Sequence, residues 1–205
     1  MGSLEKTLGE NGVQGNRQYI FLYPTREYFE SMLKFCKTFY IEGHSADKLN
    51  DIINSRYRSR GYGINWLLFS DEDDPEKPDT KGLSSYIKVG KDDGILNAGV
   101  SFGKHVSEEL YADNDFILDQ LPAHKELVIG GFHQADCVDK LAACSYLRGV
   151  KTFVDEDTTE MFFWRETFRG IPLTREKWRL GDLVSEELYD DIRESRKEKP
   201  WLVGD

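Results

Sequence analysis

A strand runs directly into a helix in the stretch Leu127-Val-Ile-Gly-Gly-Phe-His-Gln-Ala-Asp-Cys-Val138. The apolar run at 127–132 is typical of a strand that is buried on both faces. Helical spacing of apolar residues follows over 136–148, and Gly149 is placed to end that helix in the left-handed conformation. The stretch therefore predicts a strand–helix unit in which Cys137 occupies the first turn of the helix.

The same alternation of strand and helix patterns extends over residues 19–155. Apolar runs predict further strands at 19–23, 64–69 and 150–155, with weaker strand character at 86–89 and 99–102. Helices with one apolar stripe are predicted after Thr25 (Phe29, Met32, Leu33, Cys36, Phe39), after Ser45 (Leu49, Ile52, Ile53, Tyr57, ending at Gly61) and over 107–121. Such alternation requires crossover connections between buried strands. The sequence therefore predicts an α/β fold, a three-layer, Rossmann-like sandwich with a mostly parallel sheet.

Length and composition fit one globular domain with additional terminal segments. The chain has 205 residues, of which 39% are hydrophobic, and a net charge of −10. We divide it into a flexible N-terminus at 1–17, an α/β domain at 18–164 and a charged helical extension at 165–205. Basic residues form only short clusters, whereas a nucleic-acid site needs an extended basic surface, so nucleic acid is not an expected partner.

The cysteines and the N-terminal residues indicate the cellular compartment in which the protein is expected and whether it binds a membrane. Three cysteines, Cys36, Cys137 and Cys144, cannot all pair within one chain, and they lack the spacing of a metal motif. The N-terminal residues show no apolar signal core, and no run approaches the roughly 20 residues of a membrane helix. We expect a cytoplasmic protein that binds a small-molecule substrate or ligand and no membrane, with a homo-oligomer left open.

Cys137 is the candidate reactive group. In open α/β sheets, sites form where the carboxyl ends of strands turn into helices, and Cys137 follows such a turn. The positive end of the helix dipole stabilises a thiolate, and amides at a helix start can bind an oxyanion. Position alone leaves a reactive thiol and a buried structural thiol as equal alternatives. Cys36 and Cys144 are predicted to be structural.

The segment around Cys137 resembles the isochorismatase-like cysteine hydrolases. In both, an apolar strand and a glycine are followed, after five residues, by Cys-Val, here Cys137-Val138. Gly149 lies twelve residues after Cys137 and Asp157 eight residues after Gly149, as the family's helix-ending glycine and strand-closing acid do. The resemblance covers about 127–160 well and 19–121 more loosely.

The resemblance implies a site built on a Cys–Lys–Asp set. Cys137 corresponds to the nucleophile, and Lys104, after the short strand Gly99-Val-Ser-Phe102, corresponds to the supporting lysine; a plain surface lysine is the alternative. Phe132, His133 and Asp136 are implied as oxyanion or substrate-binding residues. The resemblance also implies a cis peptide bond between Phe132 and His133.

The sequence departs from the family where the catalytic Asp should end the first strand, because Pro24 stands there. Proline cannot move a proton. Three carboxylates, those of Glu27, Asp71 and Asp136, are candidates to replace it, and His133 could act as the base, with a bond to the local backbone as the alternative. The acid and two histidines that bind metal in some family members have no counterpart, so no catalytic metal and no cofactor is expected.

Two functions remain open at this point. The first is a divergent hydrolase that cleaves a small amide, imide or carbamoyl C–N bond through Cys137. The second is a catalytically inactive relative that binds a ligand or serves in assembly. A flavodoxin-like nucleotide-binding domain is a weaker third alternative, because the first strand is followed by Tyr23-Pro-Thr-Arg26 instead of a glycine-rich loop.

Overall fold

Five strands form one parallel sheet in the computed structural model, which describes residues 16–31, 46–159 and 198–202. The strands are β1 (Arg17–Leu22), β2 (Gly63–Ser70), β3 (Gly94–Ser101), β4 (Glu126–Gly131) and β5 (Lys151–Thr159). Their order is β3-β2-β1-β4-β5, and every neighbouring pair is parallel. The predicted strands at 19–23, 64–69, 127–132 and 150–155 are confirmed.

Helices connect the strands. They are α1 (26–31), α2 (Ala46–Ile52), α3 (Phe102–Ser107), α4 (Asn114–Gln120) and α5 (Asp139–Leu147). Helix α2 continues through a π-helical turn, Ile53–Tyr57, and a 3-10 turn, Arg58–Arg60; a second π-helical turn, Gln134–Val138, leads into α5. As predicted, the helical segment that begins with α2 stops at Gly61, and α5 stops before Gly149; the φ angles of these glycines are 77° and 79°.

Helices cover both faces of the sheet, which confirms the three-layer sandwich. Side chains of β1 alternate between two cores, as the period of a strand requires. Tyr19 and Phe21 join the core beneath α1 and α2, whereas Ile20 and Leu22 join the core beneath α4 and α5. We call these sides the α2 face and the α5 face. All four side chains are at most 1% exposed.

Two stretches differ from the sequence-based prediction. Residues 86–89 form no strand, because their backbone bonds instead to the buried Asn50 side chain, which accepts from Lys88 N (2.9 Å) and donates to Tyr86 O (2.8 Å). The helix predicted over 107–121 is replaced by α3 and α4. Glu109, with a left-handed backbone (φ 52°), interrupts the helical conformation between them. Asp113 caps the start of α4, because its Oδ1 accepts a hydrogen bond from Asp115 N at 2.9 Å.

The predicted stripe of the first helix is described only in part. Thr25 Oγ1 accepts from Tyr28 N at 3.5 Å, consistent with the predicted cap, and Phe29 is fully buried. Met32, Leu33, Cys36 and Phe39 lie outside the described residues, as does Ser45.

A short C-terminal segment docks on α5. Trp201, in a 3-10 turn (Pro200–Leu202), packs into the core of the α5 face and donates through Nε1 to Asp139 Oδ1 at 2.7 Å. Lys199 forms an ion pair with the same carboxylate at 2.8 Å. Within the described ranges, no helix is long and apolar enough to cross a membrane.

Candidate active site

Cys137 lies in the π-helical turn that follows β4, at the carboxyl end of the parallel sheet. Its side chain is 6% exposed and belongs to the core of the α5 face. The turn starts at His133, whose left-handed backbone (φ 61°, ψ 55°) is unusual for a residue other than glycine. The His133 carbonyl accepts from the amides of Asp136 (3.0 Å) and Val138 (3.1 Å), which closes the turn beneath the thiol.

Two glycines bring the end of β4 against its neighbours. Gly131 has a φ of 120°, and a Cβ there would overlap the backbone of Leu22. A Cβ at Gly130 would collide with the Tyr19 hydroxyl and with Thr158. This close approach lets the Phe132 amide donate to Leu22 O at 3.1 Å. The Gly-Gly pair therefore fixes where the turn with Cys137 begins.

Two histidines stand beside the thiol. His133 Nδ1 lies 3.7 Å from Cys137 Sγ. His105, from α3, is 8% exposed, and one of its ring nitrogens, one of His133 and the sulfur all lie within 4.8 Å of one another. The two imidazoles stack with centroids 5.7 Å apart. His105 Nδ1 lies 3.0 Å from the Leu110 carbonyl, which can only accept, so Nδ1 donates this hydrogen bond and Nε2 is the ring nitrogen that remains for another partner.

An ion pair borders the thiol on the helix side. Asp136 Oδ1 lies 2.6 Å from Lys140 Nζ, and Lys140 Nζ lies 3.3 Å from the centroid of the Tyr111 ring. Burial raises the pKa of Asp136, but hydrogen bonds from Lys140 and Tyr111 outweigh burial and lower it. The hydrogen bond to Asp136, and more weakly the charge of Cys137, raise the pKa of Lys140. Both groups are therefore ionised at neutral pH.

A tyrosine occupies the end of β1. Tyr23 has a left-handed backbone (φ 56°), is 1% exposed and stacks on Phe69 with centroids 4.3 Å apart. Burial, followed by the charges of Cys137, Tyr28 and Asp136, raises its pKa well above 10. Its hydroxyl is therefore protonated at neutral pH. Pro24 follows in a buried position, with its carbonyl accepting from Ser84 N at 2.8 Å.

The predicted site residues are distributed between this cluster and other places. Cys137, His133 and Asp136 lie together in the π-helical turn. Phe132 packs into the core of the α2 face, and its amide and that of Asp136 already donate to carbonyls. Lys104 is exposed on α3, and the residue of α3 that lies close to the sulfur is His105.

Two further expectations concern the Phe132–His133 bond and the replacement carboxylates. The described residues contain no cis peptide bond, so the expectation of one between Phe132 and His133 was wrong. Glu27 is exposed, and Asp71 forms an ion pair with Lys81 at 3.6 Å in the loop after β2. Asp136 is the candidate that lies next to Cys137 in the turn, where Lys140 holds it.

Sequence reasoning missed His105, Tyr23, Lys140 and Tyr111. Lys140 could have been found, because it stands four residues after Asp136 on a predicted helix, where opposite charges meet. His105 and Tyr23 each adjoin a residue that the resemblance singled out. Whether a given residue or its neighbour points into the site depends on the exact position at which the strand ends or the helix begins. The residue pattern alone does not fix that position.

A cleft of about 790 Å³ opens at the amino end of the sheet, opposite Cys137. Its polar side chains bind one another. Arg58 pairs with Asp93 at 2.5 Å, and Asn65 donates to Gln18 at 2.9 Å. These bonds hold the strand starts together, and Cys137 stays the candidate for a reactive group.

No protein-family model and no curated protein matches the amino-acid sequence. The backbone is similar to several solved structures. An isochorismatase family protein aligns at 18% identity and a TM-score of 0.44, over 72% of this chain and 82% of its own. The pyrazinamidase of Pyrococcus horikoshii, solved in complex with zinc, aligns at 14% identity and 0.44, over 74% and 93%. N-carbamoylsarcosine amidase from Thermoplasma acidophilum aligns at 15% and 0.43, over 75% and 92%. In its backbone, this chain is similar to structures of the isochorismatase family.

Proposed function

We propose that this protein is a cysteine-dependent hydrolase that cleaves a small amide, imide or carbamoyl C–N bond. The observation that carries the proposal is the 3.7 Å separation between Cys137 Sγ and His133 Nδ1 at the carboxyl end of the sheet. A thiol needs a nearby base to become a nucleophile, and a neutral imidazole at this distance is such a base. The spacing of the segment around Cys137 supports the same reaction.

The proposed acylation moves one proton and one acyl group. His133 Nδ1 accepts the thiol proton, and the sulfur attacks the carbonyl carbon. Charge develops on the carbonyl oxygen, which the amides at the start of the helical turn stabilise. When the C–N bond breaks, the leaving nitrogen takes the proton from His133, and the acyl group remains on Cys137 as a thioester.

Deacylation requires a base that activates water. The site is less well equipped for this step than for acylation. Asp136 precedes Cys137 directly in the amino-acid sequence, but its ion pair with Lys140 stabilises the charged form and makes it a poor base. Tyr23 is protonated at neutral pH. His133 therefore serves in both half-reactions, and we expect the thioester to be hydrolysed slowly.

Two cations are proposed to stabilise the ionised thiol. Lys104 keeps the role that the family resemblance implies. Lys140 is the second, because its charge interacts with that of Cys137. Within the described part of the chain, Cys137 and Cys144 form no disulfide bond, which fits a reducing, cytoplasmic location for the enzyme, acting alone or as a homo-oligomer.

The alternative is a non-catalytic relative that binds a ligand or serves in assembly. Pro24 and the protonated Tyr23 at the end of β1 favour it, because neither can accept a proton where the family has its Asp. In this alternative Cys137 is an ordinary thiol that contributes to packing.

Product release from small C–N substrates tests the proposal. Nicotinamide, succinimide and N-carbamoylglycine are incubated with the protein, and ammonia or ring-opened product is measured along with the intact protein mass. We expect a covalent adduct on Cys137 with at least one of them. The adduct should disappear in Cys137→Ala and persist in Cys144→Ala, which removes the other thiol of the same helix. An unmodified Cys137 with all three classes would favour the non-catalytic alternative.

A further inference from the structure

We infer that His105, His133 and Cys137 form a binding site for a divalent transition metal ion, with zinc the best match to its ligands. One potential ligand atom from each residue lies within 4.8 Å of the other two. The three residues come from α3, the end of β4 and the π-helical turn, so the fold itself brings them together. The inference does not depend on hydrolase activity.

The distances suit tetrahedral zinc. Bonds of about 2.3 Å to sulfur and 2.0–2.1 Å to nitrogen, at tetrahedral angles, place a sulfur and a nitrogen about 3.6 Å apart. Cys137 Sγ and His133 Nδ1 are 3.7 Å apart. The widest separation in the set, up to 4.8 Å, exceeds that value by roughly an ångström. Metal binding would therefore require the side chains to move toward one another by about that distance.

A backbone carbonyl orients His105 as metal-binding histidines are usually oriented. The hydrogen bond from its Nδ1 to Leu110 O, at 3.0 Å, fixes the ring and leaves Nε2 to bind the metal. The turn that presents this carbonyl includes Glu109, with its left-handed backbone, and is closed by Leu110 N donating to Lys104 O at 3.4 Å. The carbonyl is thus part of the framework that positions His105.

The donor set selects the class of metal. One thiolate and two imidazoles favour zinc and cobalt over magnesium or calcium, which prefer oxygen ligands. His105 and Cys137 are 8% and 6% exposed, so the ion would be largely shielded from solvent. Three protein ligands leave the fourth tetrahedral position for water or a small ligand.

Metal binding and nucleophilic attack exclude each other at this sulfur. A thiolate that is bonded to zinc, and a His133 nitrogen that is bonded to the same ion, can neither attack a carbonyl nor accept a proton. The metal would therefore hold Cys137 in an unreactive, oxidation-protected form. This differs from the sequence-based expectation of no metal, which considered an acid and two histidines near the first two strands.

Titration with cobalt chloride under a non-thiol reductant tests the site directly. We expect one Co²⁺ per chain, visible d–d bands of a tetrahedral ion and a thiolate-to-cobalt charge-transfer band. His105→Gln, His133→Gln and Cys137→Ala should each weaken binding by at least about 100-fold, since losing even an outer-shell partner costs about 10–100-fold. His124→Gln is the matched control, because His124 lies beyond α4, bonded to Pro122 O at 2.7 Å, and should bind cobalt normally.

A second measurement uses the unmodified protein, in case a variant does not fold. Equimolar zinc chloride should slow alkylation of Cys137 by iodoacetamide at least tenfold and leave Cys144 unchanged, as read from peptide masses. Absence of the charge-transfer band, binding that survives all three substitutions, or equal protection of both thiols would overturn the site. Because no substrate is involved, failure of the hydrolase proposal would leave these results unaffected.

Discussion

At the level of single residues, Cys137 and Cys144 share one helical segment but differ in their surroundings. Burial, and then the hydrogen bond to Asp115, raise the pKa of the Cys144 thiol above 9.0. Cys137 Sγ instead lies 3.7 Å from His133 Nδ1, the proton acceptor that we propose for it. We predict that iodoacetamide at pH 7 modifies Cys137 faster than Cys144, and that Cys144 reacts only as the pH rises above 9. Peptide mass spectrometry over a pH series measures both rates. A Cys137 as slow as Cys144 at pH 7 would favour the non-catalytic alternative.

The two lysines proposed to support the thiol can be separated by matched substitutions. Lys140→Met leaves the Asp136 charge unpaired next to Cys137, so we predict that alkylation of Cys137 at pH 7 slows severalfold. Lys104→Met removes the other cation proposed to stabilise the thiolate, so alkylation should slow in this variant as well and hydrolysis should be lost. Rates measured on both variants, with circular dichroism as a check on folding, decide between the two positions. Equal rates in all three proteins would remove both lysines from the site.

At the level of elements, the end of β4 depends on a residue without a side chain. We predict that Gly131→Ala destabilises the protein by about 3 kcal/mol or more, because its φ of 120° is unfavourable for alanine and its Cβ would overlap Leu22. Gly61→Ala is the control, since Gly61 also has a positive φ but nothing lies within 4 Å of its Cβ position. That change should cost about 1 kcal/mol. Urea unfolding of both variants measures the difference, and equal costs would show that Leu22 moves aside.

Glu126, at the start of β4, links neighbouring strand starts through its carboxylate, and its contribution to stability depends on pH. Burial would raise the pKa of Glu126, but hydrogen bonds from Tyr62 and Lys151, the latter at 3.0 Å, lower it below 4.5. Its folded pKa lies below its unfolded pKa, so the stabilisation is present above about pH 4.5 and is lost as the pH falls through the folded value. We predict that Glu126→Gln lowers the free energy of unfolding by about 1 kcal/mol at pH 7. The difference should shrink as the pH falls below 4.5 and through the folded pKa, while exposed Glu108→Gln should change little over the same range. A constant difference across this range would contradict the linkage.

Strands and helices could be predicted where consecutive or regularly spaced apolar residues are buried. The strands at 19–23 and 127–132 follow from apolar runs, and Gly61 and Gly149 from the geometry of helix ends. The break between α3 and α4 was not predictable, because a left-handed Glu109 gives no sequence signal. The loop at 86–89 likewise depends on Asn50, a residue far away in the sequence.

At the level of the whole molecule, the candidate site combines three distant parts of the chain. The end of β1 contributes Tyr23, α3 contributes His105, and the turn after β4 contributes His133 and Cys137. The local pattern around Cys137 could be recognised because it lies in one continuous segment. The histidine pair could not, since it depends on how α3 is rotated against the sheet and on the backbone of His133.

The composition of this site leads to a prediction for overall activity. With Pro24 and the protonated Tyr23 at the end of β1, the thioester has no carboxylate of the family kind to activate water. We therefore expect weak or absent hydrolysis of simple amides such as nicotinamide, with acylated Cys137 accumulating. Pro24→Asp should raise turnover, if the new side chain is held at the strand end.

The effect of a new base can be separated from the effect of removing the proline. Steady-state turnover and intact mass are measured on the unmodified protein, on Pro24→Asp and on Pro24→Asn. Asparagine changes the backbone in the same way but supplies no base, so a gain confined to the aspartate variant identifies proton transfer as the missing step. Both variants release the restriction that proline places on Tyr23, so they share any shift of the strand end. Fast hydrolysis by the unmodified protein that is abolished by Cys137→Ala would mean that His133 suffices as the base for both half-reactions.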